Sequence, residues 1–283
     1  MKRIITFLLA VVMLVGMMAL VGCDKDNENP GSGNIPNTGN NPNTGNNPNN
    51  TTDVYTLVTA AMKKTIEAKS YIGAIKQTVT ETLMGNTSTV KADYVIKASL
   101  DDPAKPLMGL DGEIEMEGEK MPYTYYFDGA WMYYVMYGEG FKAQATLEEF
   151  MEDAGGIDSL FTDLPKALFD GVAAKTEGNT TKVELTADSD TFKAMYTKLI
   201  TDMFYDVLGD IITPVVVSDV KIVVSVTDGY VMGYDLSFKS SYTIGNDSVS
   251  YDYSQSVVFE SIDKAVTITP PEGYENFMEM GWG

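Results

Sequence analysis

Catalysis and metal binding need bases, nucleophiles, soft ligands or charge clamps, and this chain carries few of them. Its 283 residues include no histidine and one cysteine, Cys23, and the only arginine is Arg3. Beyond position 3 nothing can supply an imidazole base, a histidine metal ligand or a bidentate guanidinium clamp. Carboxylates are plentiful, with 40 Asp and Glu. Two of them at the right separation could hydrolyse a glycoside, but with so many acids some pair falls close by chance. No serine stands in a nucleophile-elbow context and no glycine-rich phosphate loop follows a strand. Asp111, Glu113, Glu115, Glu117 and Glu119 alternate along the chain, which sets them in a row about 7 Å apart on one strand face. Calcium needs six or more oxygens converging on one point, and a row does not converge. The row reads as a solvated face whose charge discourages edge pairing. The expectation is a protein that is not an enzyme and has no cofactor and no metal.

Cys23 has a context of its own. Lys2 and Arg3 precede a nearly unbroken apolar run from Ile4 to Leu20, and Leu20-Val21-Gly22-Cys23 places small residues before the cysteine. A basic start, an apolar run and small residues at a cleavage point are the construction of a secretory signal. The tetrad resembles the lipobox of bacterial lipoproteins. That resemblance implies cleavage after residue 22, a diacylglyceryl thioether and palmitate-type acylation at Cys23, and stable anchoring by more than one acyl chain. With its thiol acylated, Cys23 offers no disulfide, thiolate nucleophile or zinc ligand.

Three domains follow: a signal peptide at 1–22, a lipidated cysteine and tether at 23–52, and a folded unit at 53–283. Loss of Lys2 and Arg3 with the signal takes the formal charge from −20 to −22. So acidic a surface excludes nucleic acid as a partner. From Asp24 to Thr52 the chain is rich in Asn, Gly, Pro and Thr and repeats Pro-Asn-Thr-Gly-Asn-Asn from Pro36 and from Pro42. Such a composition makes a disordered spacer, with a coil reach of about 30 Å and an extended reach of about 90 Å.

The remaining chain must supply a core, and its apolar spacing changes period along the way. Val54, Leu57, Val58, Ala61, Met62 and Ile66 recur at helical spacing behind Thr52 or Asp53 as a cap. Period-two strands come next. Tyr71, Ile75, Val79 and Leu83 share one face, Met84-Gly85-Asn86 turns the chain, and Tyr94, Ile96, Ala98 and Leu100 share a face of the next strand. Leu110, Ile114 and Met116 resume the meander, with hairpins at Gly118-Glu119-Lys120, Asp128-Gly129 and Gly138-Glu139-Gly140. The spacing predicts helix from Leu147 to about Phe169, divided at Pro165, then two short strands about Gly178-Asn179. A longer helix is expected from Phe192 to Leu208, with a wide apolar face. Three long strands, with Val220-Ile222-Val224-Val226, Met232-Tyr234-Leu236-Phe238 and Val249-Tyr251-Tyr253-Val257-Phe259 on their apolar faces, close the unit. Segregated helices and antiparallel strands make the class α+β.

The order of these elements resembles the LolA/LolB and LppX type of lipoprotein domain. So do the Tyr-rich hairpin from Tyr125 to Tyr134, the Thr227-Asp228-Gly229-Tyr230 turn and the closing Val266-Thr267-Ile268-Thr269-Pro270-Pro271-Glu272-Gly273. The resemblance covers roughly Asp53 to Phe277. It implies a strongly curved antiparallel half-barrel with helices packed on the concave face and, in several members, lipid between them. The chain departs from that pattern in having no arginine to tie lid helices.

Between Trp131 and Tyr137 both strand faces are apolar or aromatic, and such a strand needs cover on both sides. It can pack on helices and neighbouring tyrosines, or part of one face can line a cavity. The cavity residues would be Met116, Tyr125, Phe127, Trp131, Met136, Phe192, Tyr196 and Met203, since Met and aromatics adapt to acyl chains. The sequence thus predicts a lipid-anchored protein on the extracytoplasmic face of a cell membrane, binding a hydrophobic or lipid-like molecule. The alternative is an envelope interaction or structural protein with a filled core. No protein partner is named by the residues, and both Gram-positive and Gram-negative envelopes stay open, although Asp24 matches an inner-membrane retention signal of the latter.

Overall fold

The computed structural model describes residues 53–102, 104–136, 138–146, 166–169, 172–186, 194, 197, 215–244 and 247–280. Helix α1 (Val54–Ile66) opens this region, with Asp53 at its N-cap position. Asp53 caps with its main chain, whose carbonyl accepts the Leu57 N–H at 3.0 Å, while its carboxylate accepts the Thr56 hydroxyl. Val58, Ala61, Met62 and Thr65 are its buried face.

Twelve strands follow among the described residues. They are β1 (Ser70–Leu83), β2 (Asn86–Ser99), β3 (Leu107–Met116), β4 (Glu119–Phe127), β5 (Trp131–Met136), β6 (Glu139–Gln144), β7 (Ala174–Glu177) and β8 (Thr180–Thr186), then β9 (Val216–Thr227), β10 (Tyr230–Ile244), β11 (Asp247–Ile262) and β12 (Met278–Glu279). They form one sheet in the order β12-β6-β5-β4-β3-β2-β1-β11-β10-β9-β8-β7, open at β12 and β7. Every pairing is antiparallel except β12 on β6. The sheet is therefore two meanders joined where the first strand, β1, meets the last long strand, β11.

Hairpin chemistry explains the meanders. At Glu117-Gly118 and Asp228-Gly229 both turn residues have positive φ, the backbone that matches the twist of the flanking strands. The sequence places these turns correctly to within a residue. A sheet of twelve strands at about 4.8 Å spacing would be about 50 Å wide, and sheets so wide curl. Inward residues from β5 through β8 belong to one buried cluster, Phe127, Ile96, Val249, Ile222 and Val183 among them. The result is a curved antiparallel sheet that does not close into a barrel.

Helix α1 packs against β9 and β10. Thr65 fixes it there. Its buried hydroxyl accepts the Val231 N–H at 2.9 Å and donates to the Ala61 carbonyl at 2.8 Å. On the exposed side of the same helix, Lys64 donates to the Asp228 carbonyl and lies over the Tyr230 ring. Of the segment expected to be helical from Leu147 to Phe169, the part described is a 3₁₀ turn at Lys166–Phe169. The expected helix from Phe192 to Leu208 lies outside the described residues, apart from positions 194 and 197.

The chain after β11 covers the outer face of the first meander. Ile268 packs where a Cβ on Gly109 of β3 would stand, and Phe277 lies against Gly140 of β6. Tyr274 meets Tyr126 and Tyr133 edge-on at 6.2 and 5.1 Å. The segment then pairs with β6 as β12. This strap covers part of the outer face of the doubly apolar strand.

Candidate functional site

The alternation of each strand assigns its side chains to an inner or an outer face. Inward on β1 are Tyr71, Ile75, Gln77 and Val79, and inward on β11 are Val249, Tyr251, Tyr253, Gln255, Val257 and Phe259, all buried. Phe238 stacks on Tyr253 with centroids 4.7 Å apart, and Tyr71 meets Phe259 edge-on at 5.7 Å. Burial pushes the phenols of Tyr71, Tyr94 and Tyr234 well above their ordinary range. Each therefore stays neutral and behaves as part of an apolar wall.

Two features interrupt that wall. At one end of the β1–β11 seam the Tyr242 and Tyr251 hydroxyls are 3.2 Å apart, and Tyr251 donates to the Glu81 carboxylate at 2.7 Å. Burial first, then Tyr242 and Glu81, raises the Tyr251 phenol far above its usual value. In the middle of the seam Gln77 of β1 is the direct cross-strand partner of Gln255 of β11. Both are buried, at 4% and 3% exposure, and neither amide nitrogen nor oxygen has a hydrogen-bond partner among the described residues. Leaving one buried polar group unsatisfied costs about 1–3 kcal/mol, so four such atoms at one point are an exceptional concentration. Their row is otherwise apolar: Leu236 and Ile222 continue it through β10 and β9, Ala92 and Ile114 through β2 and β3.

The sequence matches no family model and no curated protein. Among solved structures, LprF from Mycobacterium bovis aligns with 77% of this chain and 96% of its own, at 11% identity and a TM-score of 0.39. A beta-barrel-like protein of the domain of unknown function DUF1849 from Brucella abortus aligns with 66% of this chain and 96% of its own, at 11% identity and a TM-score of 0.20.

Of the residues expected to line a cavity, Met116, Tyr125 and Phe127 share the inner face, Tyr125 and Phe127 as near neighbours and Met116 at the far end of β3. Phe127 is fully buried, Tyr125 meets Tyr134 edge-on at 5.2 Å, and Met116 packs against the same cluster half-buried. Trp131 is not with them. It pairs with Gln144 on the outer face, where Lys142 lies 5.6 Å from its ring centre. Met136 pairs with Tyr123 through the backbone. Phe192, Tyr196 and Met203 lie outside the described residues, as does Cys23.

Of the acidic row, Asp111, Glu113 and Glu115 lie on the outer face of β3, whereas Glu117 falls in the β3–β4 turn with positive φ and Glu119 begins β4, so the five do not share one strand face. Glu115 pairs with Lys91 at 3.2 Å and Glu113 with Lys120, both across neighbouring strands on the exposed face. Among the described residues no cluster of His, Cys, Asp or Glu is disposed to hold a metal ion.

Gln77 and Gln255 are invisible to a search for apolar alternation, which passes from Ile75 to Val79 and from Tyr253 to Val257. The signal that finds them is the reverse one: a polar residue at an apolar phase in two strands. Only the β1–β11 register then shows that the two face each other.

Proposed function

We propose that this chain is a membrane-anchored extracytoplasmic lipoprotein, held by acylated Cys23, that binds a hydrophobic or lipid-like ligand against the inner face of its curved sheet and catalyses no reaction. The observation that carries the reading is an apolar wall, aliphatic with interspersed Tyr and Phe, that runs across the sheet and is broken mid-seam by buried amides with no partner among the described residues. A core built only for stability gains nothing from such a break. The LolA/LppX resemblance, in which lipid lies against a half-barrel, points the same way.

A filled core with an interaction role is the second reading, and one observation favours it. The hollow between α1 and the sheet, lined by Met62, Val224, Tyr234 and Phe259, has a volume of about 20 Å³. That is room for roughly one water, far short of the several hundred Å³ of an ordinary ligand site. Native mass spectrometry of the full chain carrying Cys23→Ala separates the two. Co-purified lipid, or saturable uptake of a solvatochromic fatty-acid probe, supports ligand binding, whereas uptake of no probe at any chain length supports the filled core. The anchor has its own test: palmitate labelling should disappear in Cys23→Ala, and labelling at the wild-type level would remove the lipoprotein assignment.

A further inference from the structure

We infer that Gln77 and Gln255 form the polar subsite of the inner face, and that they select a lipid whose polar group is uncharged and carries both hydrogen-bond donors and acceptors, as an acylglycerol does. The inference rests on the hydrophobic-ligand reading and narrows it to a ligand class. Other buried polar side chains near this seam are satisfied: Thr65 bonds Val231 and Ala61, and Ser70 donates to the Lys264 carbonyl at 2.7 Å. The glutamines differ in kind, because they are direct cross-strand partners and still make no bond to each other. Two primary amides side by side offer two carbonyl acceptors and four N–H donors. A group with hydroxyls and an ester can engage both sets at once.

Charge disfavours the ionised lipid classes. Neither amide can neutralise an ion, and burying an uncompensated charge costs far more than burying a dipole. The nearest carboxylate on the same face of β1 is Glu81, four residues along the strand and bonded to Tyr251. Its sign opposes a fatty-acid carboxylate or a phosphate. Ile75, Val257, Val79 and Tyr253, next to the glutamines along the two strands, supply the surface on which an acyl chain lies.

The test uses the delipidated full chain carrying Cys23→Ala, loaded with a solvatochromic acyl probe that is displaced by monolauroylglycerol, laurate or dodecane. One extra satisfied hydrogen-bond set is worth about tenfold in affinity, so monolauroylglycerol should displace the probe at about a tenth of the laurate concentration. Gln77→Met and Gln255→Met keep side-chain volume and remove the amides. Each variant should bring the two lipids to within about threefold, and a urea midpoint at or above that of the wild type reports an intact fold. Laurate binding as tightly as monolauroylglycerol to the wild-type chain overturns the inference without any variant. So does a preference that survives in both Met variants, since the pair would then hold only solvent. If the probe binds nothing displaceable, the hydrophobic-ligand reading falls, and the subsite with it.

Discussion

Thr65 shows how a buried polar side chain is normally accommodated in this protein. Its hydroxyl closes a bond within α1 and accepts the first inward N–H of β10, tying helix to sheet. Thr65→Val preserves shape but leaves the Val231 N–H buried without an acceptor. The expected loss is about 1–3 kcal/mol of unfolding free energy, read as a lower urea midpoint at unchanged slope. A variant as stable as the wild type would mean that solvent reaches that amide. The glutamine pair should respond in the opposite direction. Because Gln77 and Gln255 have no protein partner to lose among the described residues, replacing either with Met should raise the urea midpoint of the ligand-free chain. That sign distinguishes a site held for function from one held for stability.

At the scale of elements, the parts legible in the sequence are those fixed by neighbours in the chain. The Asp228-Gly229 hairpin and the inward set Val220, Ile222, Val224 and Val226 follow from turn chemistry and period two, and both are present. Contacts between distant segments are not legible. A bulge at Val231/Gly233 turns Val231 as well as Tyr234 inward, and alternation alone does not predict it. The outer cover of the aromatic strand comes from the C-terminal strap, whose contacts depend on bare backbone at Gly109 and Gly140. Composition groups Trp131 with the cavity residues, but the pleat puts it on the other face. Gly140→Val sets a side chain where the Phe277 ring lies, so it should detach 274–280 from β6. The expected result is a new protease-sensitive site after Asp263 with the main unfolding transition lowered by no more than about 2 kcal/mol, because Tyr274 and Phe277 are only half-buried. Loss of the whole fold would show that the strap nucleates the first meander rather than covering it.

At the scale of the whole molecule, the absence of histidine fixes how stability depends on pH. Apart from Cys23, no side chain has an ordinary pKa between those of the carboxylates and those of Tyr and Lys, so unfolding free energy should be nearly flat from about pH 6 to 9. Asp53, held below its ordinary range chiefly by the Thr56 hydroxyl, and Glu184, held below it by Lys221, bind protons less readily folded than unfolded. Their contributions are present above the unfolded carboxylate range and lost as pH falls, and both side chains are too exposed for the effect to be large. The alkaline limb is different. Burial raises the phenols of Tyr71, Tyr94, Tyr123 and Tyr234, so above about pH 10 the unfolded chain gives up protons that the folded chain retains. With fewer protons bound in the unfolded state, the slope of stability against pH is negative. The stabilisation is complete below the ordinary tyrosine range and is lost as pH climbs toward the raised values. Four such groups on one sheet make a steep limb, so the fold should fail cooperatively, with tyrosinate absorbance from the buried rings rising together with loss of near-ultraviolet ellipticity. If the buried rings ionised near pH 10 while ellipticity stayed intact, the inner wall would be open to hydroxide. A site that admits water so freely could not hold the neutral lipid assigned to Gln77 and Gln255.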